Sequence, residues 1–254
     1  MTKGGLDDNL SQRPRGKSFE AELRADIRQA LLENSVVRNT ACAEHAVKKR
    51  PDFTEEIDLL VRFDSLLLVG EVKCFLFPTD ARERYNFLKN LKAACAQASR
   101  KARKIAGRSD ISARALGISE AVAQQLRVLP IMVVNQGFGV SLMVDDCVVV
   151  DAKFLKLYLS TGTYVSEDGA NHVAGGWAEA TRSLYRSASE AIANFESAMR
   201  RPSPLYRFRK LLRWSSFTFP TSSKDPLLIV QTVVGELSGE TQARYELLST
   251  LAAN

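Results

Sequence analysis

The stretch Glu56-Ile-Asp-Leu-Leu-Val-Arg-Phe-Asp-Ser-Leu-Leu-Leu-Val-Gly-Glu-Val-Lys73 decides how the rest of the chain is read. Two apolar runs of strand length, Glu56–Phe63 and Leu66–Cys74, flank Asp64-Ser65, a pair suited to a tight turn. They predict an antiparallel hairpin. Counting outward from the turn sets Asp58 opposite Glu71 and Glu56 opposite Lys73. Directly opposed residues share a face of the sheet, and so do alternate residues of one strand. Asp58, Glu71 and Lys73 then converge on one side. The turn is not the Asn-Gly type, so its sequence leaves a one-residue slip open.

Charged residues within apolar strands are expensive to bury unless they are paired or bind metal. Two neighbouring carboxylates repel, and a divalent cation removes that penalty. Magnesium takes a few oxygen ligands and keeps several waters; so held, it can polarise a phosphodiester and promote ionisation of a bound water. A lysine two residues beyond the second acid can orient that water or stabilise developing negative charge. The competing reading leaves Asp58 and Glu71 exposed on a half-solvated sheet, with Lys73 paired to Glu56. An isolated E-x-K tripeptide is common and favours that bland reading. A strand-borne aspartate ahead of Leu67-Leu-Val-Gly-Glu-Val-Lys73 favours the site.

Upstream, a helix is expected over Lys17–Glu33, with Phe19, Leu23, Ile27 and Leu31 on one face. Downstream, helices are expected over Arg82–Ala106 and Ser112–Leu126, then a buried strand over Val128–Val134 containing Pro130. Strands alternating with helices imply an α/β architecture. The arrangement resembles the PD-(D/E)xK nuclease superfamily over about residues 17–135. The match rests on Gly16-Lys-Ser-Phe-Glu20 opening a helix, Glu56-Ile-Asp58, Glu71-Val-Lys73 and a following helix with Gln97. The resemblance implies a restriction endonuclease-like core with a central mixed sheet flanked by helices. It implies catalytic roles for Glu20, Asp58, Glu71 and Lys73, with Asp58 and Glu71 holding Mg2+, for which Mn2+ can substitute.

Two neighbours compete for these roles. Pro51-Asp52 spells the literal motif, yet the hairpin register sets Asp52 opposite Phe77, away from Glu71, and it reads as a loop residue. Glu22 lies on a different side of its helix from Glu20, which borders the buried stripe. For either glutamate, a solvated helix position is the alternative.

Between Arg82 and Arg108 stand nine lysines or arginines and one acid, Glu83. A helix so one-signed repels itself unless an anion lies against it, and a phosphate backbone suits that place. Gln97, Arg100, Lys101, Arg103 and Lys104 are the expected nucleic-acid contacts; a solvated basic face is the bland reading. A second basic stretch, Arg200–Trp214, carries Tyr206, Phe208 and Trp214. It can bind single strands by stacking or pack as an amphipathic helix, and packing is preferred.

The remaining features bound the possibilities. The 254 residues carry a net charge of +6, with 45% hydrophobic and 25% charged residues, as in a globular protein. Cys42, Cys74, Cys95 and Cys147 are scattered and have no zinc or disulfide spacing, so buried free thiols in a reducing compartment are expected. No P-loop, G-x-G-x-x-G, G-x-S-x-G or H-E-x-x-H motif occurs. No apolar run approaches the ~20 residues needed to span a bilayer, and the polar N-terminus lacks a signal core; a cytoplasmic protein without membrane contact is expected. The expected division is a disordered arm at 1–16, a core at 17–160 and a mostly helical appendage with a late strand at 161–254. A loop over Gly162–Gly176, a helix over Trp177–Met199 and a strand over Leu227–Val234 make up most of that appendage. The functional expectation is a metal-dependent DNA endonuclease of low sequence specificity, in host (antiviral) defence, repair or DNA processing. A regulatory protein partner or a homo-oligomer would restrain it. The alternatives are a non-catalytic nucleic-acid-binding or assembly module of the same fold and an RNA nuclease.

Overall fold

The computed structural model describes the backbone of residues 8–167, 179–203, 212–219 and 228–235. Two compact units divide after Arg201. The first contains α1 (Asp8–Glu33), β1 (Thr40–Cys42), β2 (Leu59–Phe63), β3 (Leu66–Lys73), α2 (Ala81–Ala106), α3 (Ser109–Leu116) and α4 (Glu120–Gln124). It continues through β4 (Arg127–Val134), β5 (Met143–Val144), β6 (Cys147–Asp151), α5 (Ala152–Leu159), β7 (Thr163–Glu167), β8 (Glu179–Ser183) and α6 (Ala188–Arg200).

Six strands form one mixed sheet in the order β1-β2-β3-β4-β6-β5. The β2–β3 hairpin closes in the expected register, with Phe63 paired to Leu66 and Leu59 to Gly70. Asp64 turns the chain at a φ of 55°, a conformation aspartate tolerates better than most residues. Its N–H donates to the Asn39 carbonyl at 2.8 Å, and the Asn39 amide donates to Asp64 Oδ1 at 3.1 Å. One backbone and one side-chain bond from Asn39 thus secure a register that the turn sequence alone leaves loose.

β3 and β4 run parallel in the middle of the sheet and are buried along most of their length. Their alternate residues serve two cores. Leu66, Leu68 and Val72 join Leu23, Ile27, Tyr158 and Phe195 on the side of α1, α5 and α6. Leu67, Val69 and Leu60 join Ala102, Ile105 and Ile111 on the side of α2 and α3. By the same alternation Asp58, Glu71 and Lys73 belong to the α2 side. A methyl group at Gly70 would stand 2.9 Å from Leu59 Cβ, so the residue before Glu71 must be small for β2 and β3 to pair closely. Pro130 falls one residue before the β4–β6 ladder begins at Ile131, where its missing donor costs least.

Several elements differ from expectation. Helix α1 begins at Asp8 rather than Lys17, so residues 8–16 of the expected disordered arm are helical; Pro14 and Gly16, both poor helix formers, hid this start. The helix expected over Ser112–Leu126 is two helices. Gly117 ends the first in the left-handed region at φ 65°, and the Ser119 side chain caps the second. The loop expected over Gly162–Gly176 and the helix over Trp177–Met199 contain the antiparallel pair β7–β8, and α6 starts only at Ala188 behind the Ser187 cap. Residues 168–178 lie outside the described residues.

The division expected after residue 160 lies after Arg201, because Tyr185, Ala191, Phe195 and Met199 complete the α1-side core. Asn34 ties that region together: its amide donates to the Leu159 carbonyl and the Tyr185 hydroxyl, while its oxygen accepts from the N–H groups of Val36 and Val37. In the second unit, β9 (Leu212–Phe219) pairs antiparallel with β10 (Leu228–Gly235), the late strand expected at Leu227–Val234. Within the expected appendage at 161–254, the described residues hold β7, β8, α6, β9 and β10. Most of the Arg200–Trp214 stretch falls outside the described residues.

Candidate active site

The C-terminal half of β3 presents Glu71 and Lys73, and the residue just before β2 presents Asp58. Asp58 Oδ2 accepts the Val72 N–H at 3.0 Å, which fixes this carboxylate beside β3. The Arg24 guanidinium of α1 donates to the Asp58 carbonyl at 2.7 Å and holds the same residue through its backbone. Lys73 Nζ stands 2.6 Å from Glu71 Oε1, with its side chain partly open to solvent. The fourth member comes from α2. Lys101 donates to Glu71 Oε2 and lies 3.7 Å from Asp58 Oδ1. Glu71, Lys101 and Asp58 are 3%, 7% and 8% exposed, so two acids and an ammonium share a largely water-free space.

Glu20 is half-buried on α1, near enough for its charge and those of Lys73 and Glu71 to act on one another. Burial raises its carboxyl above the ordinary range, against the pull of Arg24 and Lys73. Glu22 is exposed and accepts from the Ser18 hydroxyl, away from these groups. The structure therefore gathers all four sequence-derived residues in one neighbourhood, with Glu20 at its edge.

Burial pushes the Asp58 carboxyl up to about 6; the Glu71 charge adds to the rise, while Lys101 and the Val72 N–H oppose it. Burial works against the Lys73 ammonium, but the Glu71 carboxylate more than offsets this and holds Lys73 above its ordinary value. A carboxyl whose folded pKa exceeds its unfolded one binds its proton more tightly in the fold. Stability is then full below the ordinary aspartate value near ~4 and falls as pH rises to about 6. The loss is on the order of 2–3 kcal/mol. Denaturant titrations in chelator from pH 4 to 7 are expected to show this decline, and Asp58→Asn is expected to flatten it. An equal slope in both proteins would remove Asp58 as its source. Glu55 acts in the opposite sense at lower pH. Arg100 and then Lys104 hold it down to about 2, so its contribution is present above the ordinary glutamate value and is lost toward pH 2.

The basic helix is less one-signed in space than in sequence. Arg100 and Lys104 both reach Glu55, at 3.1 and 2.8 Å, and Arg108 bridges Asp52 and Asp110. Asp52 is thus a loop partner of Arg108, the residue that precedes α3, outside the Asp58–Glu71 cluster. Arg103 is exposed and bonds the Ser99 carbonyl; Gln97 is half-buried one turn before Lys101. Arg100 and Lys104 keep about half of their side chains open to solvent. Lys101 turns inward instead, so its expected contact with nucleic acid gives way to the two carboxylates. Arg24, Glu55 and the inward Lys101 were missed in the sequence. Lys101 did leave a signal, because it falls on the buried stripe of Leu91, Ala94, Ala98, Ala102 and Ile105.

Among the described residues, no group of three or more His, Cys, Asp and Glu side chains is arranged to hold a metal ion, and no helix is long and apolar enough to cross a membrane. The four cysteines are free, with Cys95 and Cys147 buried. Compared with known proteins, the chain matches no family model, no curated protein and no solved structure.

Proposed function

We propose that this chain is a metal-dependent nuclease that hydrolyses DNA phosphodiesters on a restriction endonuclease-like core. The observation that carries the reading is the delivery of Asp58, Glu71 and Lys73 to one face by the β2–β3 register. The donor set suits the cofactor. Its oxygens are hard ligands of the kind magnesium prefers, and manganese accepts them too. A protein ammonium already resides between them, so the position calls for positive charge. Asp58 and Glu71 would hold the ion, which would polarise the phosphodiester and lower the pKa of a water.

The chain's own residues do the rest. The Val72 N–H keeps one oxygen of Asp58 engaged and so fixes its orientation. Lys73, anchored by Glu71 but open to solvent, is placed to orient the attacking water or to meet charge developing on the phosphate. Glu20 adds a raised carboxyl at the edge, suited to exchanging a proton with water. The overall chemistry balances simply: a water oxygen bonds to phosphorus and gives up a proton, the phosphorus–oxygen bond to the leaving deoxyribose breaks, and that oxygen takes up a proton in turn.

Incubation with supercoiled plasmid, with magnesium or with chelator, tests the reading against the Glu71→Ala variant. Magnesium-dependent nicking by the wild type alone supports it; no cleavage by the wild type under either condition overturns it. One observation favours a second reading. Lys101 already neutralises the buried acids, as a purely structural cluster in a non-catalytic DNA-binding or assembly module would require. DNA binding without cleavage is the result that module gives.

DNA contact is assigned to Arg100, Arg103 and Lys104 of α2. Neutralising Arg100 and Lys104 alone would strand Glu55, so the test replaces all three by Gln in a Glu55→Gln background. Binding is expected to weaken across sequences, and the slope of log affinity against log salt to fall by up to ~0.9 for each phosphate that the variant no longer neutralises. An unchanged slope would move the interface elsewhere, to the exposed Arg82, Arg84, Lys89 and Lys92 or to residues 200–214.

A further inference from the structure

Lys101 is the only charged residue on the buried face of α2. Its neighbours along that face are small or apolar: Ala94, Ala98, Ala102 and Ile105. A lysine there could have run its stem outward and kept its ammonium in water. Instead the ammonium ends between Glu71 Oε2 and Asp58 Oδ1, on the opposite side of Glu71 from Lys73, which bonds Oε1. The two lysines therefore divide the labour. Lys73 is partly exposed and follows Glu71 on the same strand, whereas Lys101 is 7% exposed and comes from another layer of the fold.

Two buried carboxylates without a counter-charge would repel each other and lose their hydration, and a single ammonium touching both removes much of that cost. Asp58 and Glu71 are also the oxygens that a divalent cation would use. A divalent ion bound by both would stand close to Lys101 Nζ, and the like charges would repel. Lys101 and the divalent ion therefore need the same place.

We infer that Lys101 is a tethered counter-cation that holds Asp58 and Glu71 together when the protein is metal-free and leaves them when a divalent cation binds. The inference rests on the reading of Asp58 and Glu71 as metal ligands. It goes beyond that reading by making the metal-free site a closed, self-neutralised state, with metal entry coupled to movement of one α2 side chain. Gln97, one turn earlier on α2, and Glu55, paired to the nearby Arg100 and Lys104, are polar groups that the freed ammonium could meet.

The test needs neither DNA nor cleavage. Lys101→Met keeps the length and apolar stem but removes the charge. By calorimetry, the variant is expected to bind magnesium or manganese about tenfold more tightly than the wild type, as for two ligands competing at one site. In thermal melts the variant is expected to unfold at a lower temperature than the wild type in chelator, and saturating magnesium is expected to raise its melting temperature by more than it raises the wild type's. A third measurement uses the unaltered chain. Acetylation of lysines, read by mass spectrometry, is expected to label Lys101 slowly in chelator and several-fold faster with magnesium.

Equal cation affinity in wild type and variant, or Lys101 labelling indifferent to magnesium, would overturn the inference. It stands on the labelling result if Lys101→Met fails to fold. Absence of any divalent binding by either protein would overturn the inference together with the assignment of the ligands. Exchange of Lys101 for the cation in a protein that cuts no DNA would leave the inference intact while the nuclease reading fails.

Discussion

Glu71→Ala is expected to reduce magnesium-dependent plasmid cleavage by at least about a thousandfold, the scale seen when a group essential to the chemistry is removed. Glu71 is the hub of the site: Lys73 bonds one of its oxygens, Lys101 the other, and Asp58 lies beside it. Removal of the carboxylate takes away a metal ligand and the partner of two ammonium groups at once. Loss of one partner from a buried ion pair costs roughly 3–5 kcal/mol. The remaining Asp58 carboxylate, 3.7 Å from Lys101, offsets part of this. A destabilised Glu71→Ala protein could lose cleavage simply by unfolding. Glu71→Gln separates the two causes, since it preserves shape and an acceptor oxygen while removing the charge. It is expected to melt closer to the wild type and still cut at background rate. Near-wild-type cleavage by folded Glu71→Gln would take the E-x-K segment out of the chemistry. Asp58→Asn should behave alike, because its amide cannot supply a second anionic ligand.

The hairpin was readable because it obeys local rules. Two uninterrupted apolar runs and a polar turn pair set Leu59 against Gly70, and the face shared by Asp58, Glu71 and Lys73 follows from strand geometry alone. What escaped the sequence is what other layers bring to those strands. The Arg24 bond to the Asp58 carbonyl spans 34 residues, and the pairing of Glu55 with Arg100 spans 45. The C-terminal end of the basic stretch is partly balanced by Glu55 and Asp52, acids that precede β2, which no count along the helix can detect. Lys101 was misjudged because its charge was weighed without its place on the apolar stripe. Farther along, β7 and β8 are hard to see because neither Thr163–Glu167 nor Glu179–Ser183 carries a long apolar run. Their pairing joins segments that the sequence divides between loop and helix.

Lys73→Ala is expected to lower turnover by roughly 10²–10³-fold, the range for removal of one group that stabilises developing charge, with little effect on cation affinity. The asymmetry with Glu71 follows from exposure. The Lys73 side chain is 41% open to solvent, and Glu71 retains Lys101 when Lys73 is gone, so no buried acid is stranded. The melting temperature should therefore stay within a few degrees of the wild type. A group that acts on the attacking water or on the phosphate in the transition state lowers kcat when lost, while one that only attracts DNA raises KM. Lys73→Arg distinguishes charge from shape. Its planar guanidinium keeps the ion pair with Glu71 but cannot place a compact ammonium at the same point, so binding should be retained and turnover only partly restored. A change confined to KM, rescued in full by arginine, would mean that Lys73 attracts DNA without entering the chemistry, and the work at the phosphate would then fall to Glu20 or to Lys101 once it leaves the carboxylates.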